Sequence, residues 1–363
     1  EYGGVRAGGI NYLTREGDPD RYGAYARVIY SPPGQKNFGG LPNDFDSYWL
    51  RPFLDPDVAF TGANNGAWDM ATREQYSEFE GWIDVSEQLL RDDDPSNDLS
   101  PEALQQAFLY QHRKTFEITE PDLNLDLGFG GPVPGISDRL GNLRFWASYR
   151  QNNSQYAIPL QTDGLDERTG HLKFTSNVGS GMKLSAEGMY GIKEGTLLSR
   201  SGLSDTFGES AGTRLILFAR QHDVGGAFSG TSEEFLNARL FANDYYNPTE
   251  TAFNMVGVSF SHNVSNTSFY EVRANRLAYQ HDTFLGAPRD TTTQVTFGGV
   301  GFDESPFGYF EAPTFGVYEF RTSVGFSNAR DSSRVAIYNV RADYTNQLSP
   351  VLEVKGGALL SVT

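Results

Sequence analysis

The chain has no cysteine, so it can hold neither a disulfide framework nor a thiolate metal site or nucleophile. It also has no run of about 20 apolar residues, so a bilayer could be crossed here only by strands that are apolar on one face. Positive charge is scarce: 29 Lys and Arg stand against 46 Asp and Glu, for a net charge of -17. Phosphate binding needs a basic patch, so a nucleic-acid partner is not expected. Cationic ligands, or divalent ions that screen acidic surface, suit this balance better. Histidine is sparse as well. His112, His171, His222, His262 and His281 form no close ligand pair, and there is no His-Glu-x-x-His, no Gly-x-Ser-x-Gly elbow and no phosphate loop. The chain reads as a non-enzyme.

What is plentiful is glycine, at 40 residues, and Phe and Tyr within an aromatic content of 13%, a balance that suits many strands joined by turns. Nine stretches of period-two alternation follow one another, near 22–30, 116–129, 143–157, 171–178, 182–193, 254–262, 269–279, 336–344 and 352–363. In Met182 to Lys193 the even positions are apolar or small and the odd ones mostly polar. Several stretches reach the ~9–11 residues that a tilted strand needs to cross the hydrocarbon layer.

The connections carry a second signal. Short links at 132–142, 179–181, 265–267 and 349–351 alternate with longer ones at 31–115, 161–167, 195–250 and 282–333. Outer-membrane barrels alternate tight periplasmic turns with long extracellular loops in this way. A soluble sheet with one wet face explains the alternation equally well, but not the loop asymmetry. The expected fold is all-β: a transmembrane antiparallel up-and-down barrel, represented by about nine strands of a larger plugged barrel, with long extracellular loops carrying short helices.

The opening segment contains Tyr2, Gly3, Arg6, Gly8, Asn11, Thr14 and Gly17 in a glycine-rich frame. It resembles the end of the plug domain in TonB-dependent outer-membrane receptors, where a Tyr-Gly, a small-residue turn and an Asn-x-x-Thr-x-x-Gly precede the first barrel strand. Phe129-Gly130-Gly131-Pro132-Val133-Pro134, followed by Leu143-Arg144-Phe145-Trp146, is similar to the first periplasmic hairpin of the Oar-like branch, whose members carry a carboxypeptidase-regulatory-like front domain.

The resemblance implies that residues 1–17 are the tail of a plug and residues 18–363 the first part of the barrel. Both ends of the chain then read as cuts in a longer protein. It also implies localisation in the bacterial outer membrane, contact with its lipid, coupling to a TonB complex through a missing N-terminal segment, and import of a small-molecule, peptide or glycan ligand. A structural or adhesion barrel that anchors surface protein partners is the alternative. Glycines at such a junction let backbone turn and approach closely, and Asn11 and Thr14 can bond local backbone. Arg6 is a candidate plug-to-barrel ion pair. Along the strands, Arg144, Arg150, Lys173, Lys183, Glu187, Asn339, Arg341 and Asp343 are expected on the inward face.

Residues 31–115 form the longest connection, and from Leu41 to Glu102 it holds fifteen Asp or Glu against three Lys or Arg. Two helices are expected within it, as a hairpin. One would present Phe79, Trp82, Ile83, Ser86, Leu89 and Leu90; the other would start at Ser100-Pro101-Glu102, a cap, a first-turn proline and a first-turn acid. Between them, Asp92, Asp94, Ser96 and Asp98 follow the alternating oxygen spacing of a calcium loop. The twelfth position is Ala103 in place of a bidentate Glu, so a solvated acidic turn explains the same residues. Trp49, Trp68, Tyr245 and Tyr246 are candidates for a ligand-facing rim, against the commoner use of loop aromatics as loop packing.

Overall fold

The computed structural model describes residues 14–36, 40–76, 78–93, 95, 98–113, 115–156, 162–196, 248–284, 295–302 and 330–363. Strands β1 Gly23–Ser31, β2 Asp122–Pro132, β3 Arg144–Gln155, β4 Gly164–Gly179, β5 Met182–Thr196, β6 Pro248–Asn263 and β7 Ser268–Thr283 follow one another side by side. A small separate hairpin comes next, β8 Val295–Phe297 with β9 Val300–Phe302. The large sheet then resumes with β10 Asp331–Ser349 and β11 Leu352–Val362. Every neighbouring pair in the nine-stranded sheet is antiparallel. Tight turns close one edge; between β4 and β5 only Ser180 and Gly181 intervene, and Gly181 sits at φ 69, where glycine carries no steric penalty.

All nine alternating stretches form strands, but several run beyond the alternation at the edge of the long connections. β4 starts at Gly164 and β10 at Asp331, ahead of the alternation, in stretches that are mostly polar on both faces, around Asp166 and Arg168 or Ser332 and Ser333. The hydrogen-bonded ladder continues after the hydrophobic signal has ended. β2 instead starts late, at Asp122; Pro121 before it lacks an N–H for the ladder. The sheet is open. β1 and β11 are its outer strands, so the nine strands form an all-β antiparallel sheet that does not close on itself.

The register sorts side chains onto two faces. Val28, Leu172, Val256, Val258, Val340 and Leu360 all lie on one face and are exposed. Aromatic rings border this apolar band on both sides. Toward the tight turns, Tyr22 stacks on Phe129 at 5.8 Å, Phe129 meets Phe145 at 5.5 Å, Phe260 meets Tyr270 at 6.0 Å, and Tyr270 is the cross-strand partner of Tyr344. Toward the long connections stand Tyr30, Tyr149, Tyr190 and Tyr338. Beyond that second row the same face turns charged: Arg168 bonds Asp166 at 2.9 Å and Glu194 at 3.1 Å.

The connection after β1 folds into a cap of four helices, α1 Arg51–Leu54, α2 Met70–Arg73, α3 Trp82–Leu89 and α4 Pro101–Gln111. Ser100 caps α4 as expected, its hydroxyl accepting the Ala103 N–H at 3.2 Å. The α3 face differs from the expectation. Ile83 and Leu90 are 40% and 60% exposed, whereas Val85 is buried, because the inward stripe is Trp82, Val85, Ser86 and Leu89 at helical spacing. Phe79, which precedes the helix, still packs on Trp82. α1 and α2 are too short to show any periodicity in sequence.

Candidate functional site

The second face of the sheet carries the polar residues, including those the alternation assigned to it. Arg144, Arg150, Lys173, Lys183, Glu187, Asn339, Arg341 and Asp343 all share it through the pairing of neighbouring strands. Its charges are matched locally. Arg150 pairs with Asp126 at 3.2 Å, Lys193 with Glu167 at 2.7 Å, Arg273 with Glu271 at 2.8 Å, and Asn339 donates to Asn275 at 3.0 Å.

A short stretch of chain ahead of β1 lies on this face, across β3, β4 and β5. The Thr14 hydroxyl donates to Glu187 Oε2 at 2.6 Å and accepts from Lys173 Nζ at 2.9 Å, and Lys173 also reaches the Thr14 carbonyl at 3.2 Å. His171 Nε2 completes the cluster, 3.2 Å from Glu187. The Arg15 guanidinium sits 4.2 Å from the centre of the Trp146 ring, a cation–π contact, with Tyr25 at 5.9 Å. Glu16 spans two strands, 3.4 Å from Arg144 and 3.5 Å from Lys183.

Partial burial would raise the Glu16 carboxyl, but the charges of Lys183 and Arg144 outweigh it and hold the group below its ordinary range. Arg144 is 7% exposed, and a guanidinium so enclosed needs an anion beside it. At Gly17 the segment comes so close to β3 that a Cβ would stand 2.2 Å from the Phe145 carbonyl oxygen. Glycine is therefore required there for close approach.

Thr14 and Gly17 are thus placed against the wall, while Tyr2, Gly3, Arg6, Gly8 and Asn11 fall outside the described residues. The ion pairs to the wall come from Glu16, which sequence reasoning passed over. Nothing in the local pattern marks Glu16, because its partners lie 128 and 167 residues away.

Sequence reasoning also missed an apolar row on the otherwise polar face. Met189, Met255, Leu277 and Ile337 are consecutive cross-strand partners, and Phe253, Tyr279 and Val335 form the next row toward the long connections. The rings of Phe253 and Tyr279 are 5.9 Å apart. One such residue in each strand looks like noise in a period-two pattern, and only the register lines them up.

Of the loop aromatics, the two described ones follow the loop-packing reading. Trp68 is 8% exposed; it donates to Asp55 at 3.2 Å and packs on Tyr76 at 5.3 Å, with Arg51 over its ring. Its indole is spent on the loop's own core and offers no rim surface. Trp49 is half-buried against the cap core, edge-on to Tyr48 at 5.2 Å. Tyr245 and Tyr246 lie outside the described residues, as do Asp94 and Ser96 of the candidate calcium loop. Asp92 and Asp98 are exposed at either end of that turn, and Ala103, at the twelfth position, is buried in the cap core. Among the described residues no group of three or more His, Asp or Glu is gathered closely enough to hold a metal ion.

Comparison with protein-family models, with curated proteins and with solved structures returned no match to this chain.

Proposed function

We propose that these strands are the first part of the barrel of a TonB-dependent outer-membrane receptor, which binds a ligand at its outer face and imports it past a plug. The observation that carries this reading is a pairing of two features on one sheet. An exposed apolar band lies between two aromatic rows, as a lipid-facing wall requires. The opposite, polar face holds the segment Thr14 to Gly17 by charge pairs, as a plug leading into its own barrel would need. On this reading further strands close the edges of β1 and β11, since unpaired backbone in lipid costs several kcal/mol per group.

The helical cap then stands at the extracellular mouth, and the apolar row around Met255 and Leu277 faces the lumen below it. Energy arrives through partners, because this part of the protein supplies only binding surface and a gated passage.

A structural or adhesion role on the same barrel is the second reading, favoured by the cap, which has its own core and an acidic surface. Fractionation of the source cells separates the possibilities. A large species that leaves the outer membrane only in detergent, and that crosslinks in cells to the TonB complex, is the expected result. Stoichiometric co-purification with surface proteins and no such crosslink would favour anchoring. A detergent-independent species of 40.2 kDa would overturn both.

A further inference from the structure

Arg276 stands where the alternation of β7 calls for an apolar residue. It lies on the apolar face, its cross-strand partners are Val256 on one side and Tyr338 on the other, and it is exposed. A cation on a face that meets lipid is costly at the bilayer middle and tolerated near its surface. The neighbours of Arg276 hold it without neutralising it. Nη1 donates to Asn254 Oδ1 at 2.8 Å and Nε to the Tyr338 hydroxyl at 3.3 Å. Among the described residues no carboxylate pairs with this guanidinium. Arg168, on the same face, bonds both Asp166 and Glu194.

The contacts also fix the level of the group. Tyr338 belongs to the aromatic row toward the long connections, and Asn254 is the cross-strand partner of Tyr190 in that row. Asn254 pairs with Ala278, two residues beyond Arg276 along β7, so the long side chain leans toward the edge of the long connections, as arginines near a membrane surface do. On the barrel reading, on which this inference rests, such a row sits at headgroup level in the outer leaflet.

The donors left over suit a phosphate. A guanidinium carries five N–H groups in one plane, and the two contacts use two of them. Nη2 keeps its donors, with the Asn254 amide and the Tyr338 hydroxyl beside it. Paired N–H groups on such a fork match two oxygens of a phosphate. Toward the tight turns, the next residue of β7 on this face is Ala274, whose partners Val258 and Val340 are 51% and 47% exposed. A small residue between two projecting valines makes a shallow apolar track leading away from the guanidinium.

We propose that Arg276, Asn254 and Tyr338 bind the phosphate of an outer-leaflet lipid, with one of its acyl chains along Ala274 between Val258 and Val340. The lipid supplies the negative charge that the wall itself does not place beside Arg276.

Native mass spectrometry of the full-length protein in detergent, titrated with defined probes, tests this. The probes are phosphatidylglycerol, an uncharged diacyl glycolipid with the same chains, and inorganic phosphate. Arg276→Gln should weaken the first phosphatidylglycerol bound by about tenfold, the scale of one charge-assisted bidentate contact, and should leave glycolipid binding unchanged. Arg276→Lys, which keeps the charge but not the fork, should recover only part of the loss. Arg168→Gln should have no effect, because that guanidinium is already taken by two carboxylates.

An unchanged first affinity in Arg276→Gln, or an equal loss in Arg168→Gln, refutes the site while the barrel stands. Inorganic phosphate that displaces the lipid at equal concentration marks a free-anion site and overturns the lipid assignment. A protein that stays in solution without detergent and takes up neither lipid sinks the barrel reading first.

Discussion

Replacing Trp82 by alanine tests whether the acidic connection after β1 is a packed module or a loose loop. The indole is 0% exposed, with the rings of Phe79, Phe108 and Phe53 at 4.9, 5.6 and 6.0 Å. Truncating a buried aromatic of this kind costs about 3–5 kcal/mol. The lost indole bond to the Phe53 carbonyl, 2.9 Å in the native cap, adds little, because that oxygen keeps the Gln105 donor at 3.0 Å. With about 0.5–1 kcal/mol for that bond, the total is about 3.5–6 kcal/mol, comparable to the whole stability of a small domain, about 5 kcal/mol at the lower end.

No residue of the nine strands belongs to the cap core. The cap should therefore open alone. Hydrogen exchange followed by mass spectrometry should show peptides across α3 and α4 losing most of their protection, while β4 and β5 keep theirs. Ile83→Ala, one residue along but 40% exposed, should cost less than about 1 kcal/mol. Equal effects at both positions would refute the assigned helix face, and simultaneous loss of strand protection would refute the independence of the cap.

Four further outcomes are expected. Ser100→Ala should destabilise the start of α4 by about 1 kcal/mol through loss of the N-cap, read as faster exchange at Ala103 and its neighbours. Because the Glu16 carboxyl is depressed in the folded state, its contribution is fully present above the ordinary carboxyl range and is lost as pH falls through the lowered value. Proteolysis at the junction ahead of β1 should rise on acidification in the parent and be already high, with less dependence on pH, in Glu16→Gln. Gly17→Ala should detach the same junction, since the new Cβ meets the Phe145 carbonyl; an unchanged cleavage rate would contradict the placement. Val258→Arg on the exposed apolar face should cost about 2–4 kcal/mol if that face meets the middle of a bilayer, and should deplete the protein from the outer-membrane fraction. Ser261→Arg, on the polar face, should not.

Much of the architecture is written in local sequence. Alternation at period two marks all nine strands because each meets different surroundings on its two faces, and the turns at Gly181 and Gly141 carry residues that tolerate a positive φ. Ser100-Pro101-Glu102 announces α4 for an equally local reason: a cap acts within one turn of its helix. The rule weakens where its premise does. β4 outruns its pattern around Asp166 and Arg168 because, Leu165 apart, the residues on both faces are polar or glycine there, and the α3 face differs at Ile83 because Phe79 precedes the helix.

What the sequence determined by itself is therefore the nine strands of the large sheet, their order, the tight and long edges, and the sorting of most side chains onto two faces; the β8–β9 hairpin lies in a stretch read as a long connection. All of these follow from interactions within a few residues. The tertiary structure alone decided which distant groups meet. It set Thr14 on Glu187 and Glu16 on Arg144, aligned Met189, Met255, Leu277 and Ile337 across four strands, and brought Phe297 to Tyr110. It also turned Trp68 inward. Such contacts depend on register and on loops folding back over long separations, and a one-residue slip in any strand would exchange the two faces. A chain read residue by residue carries the period of each strand but not the alignment between them.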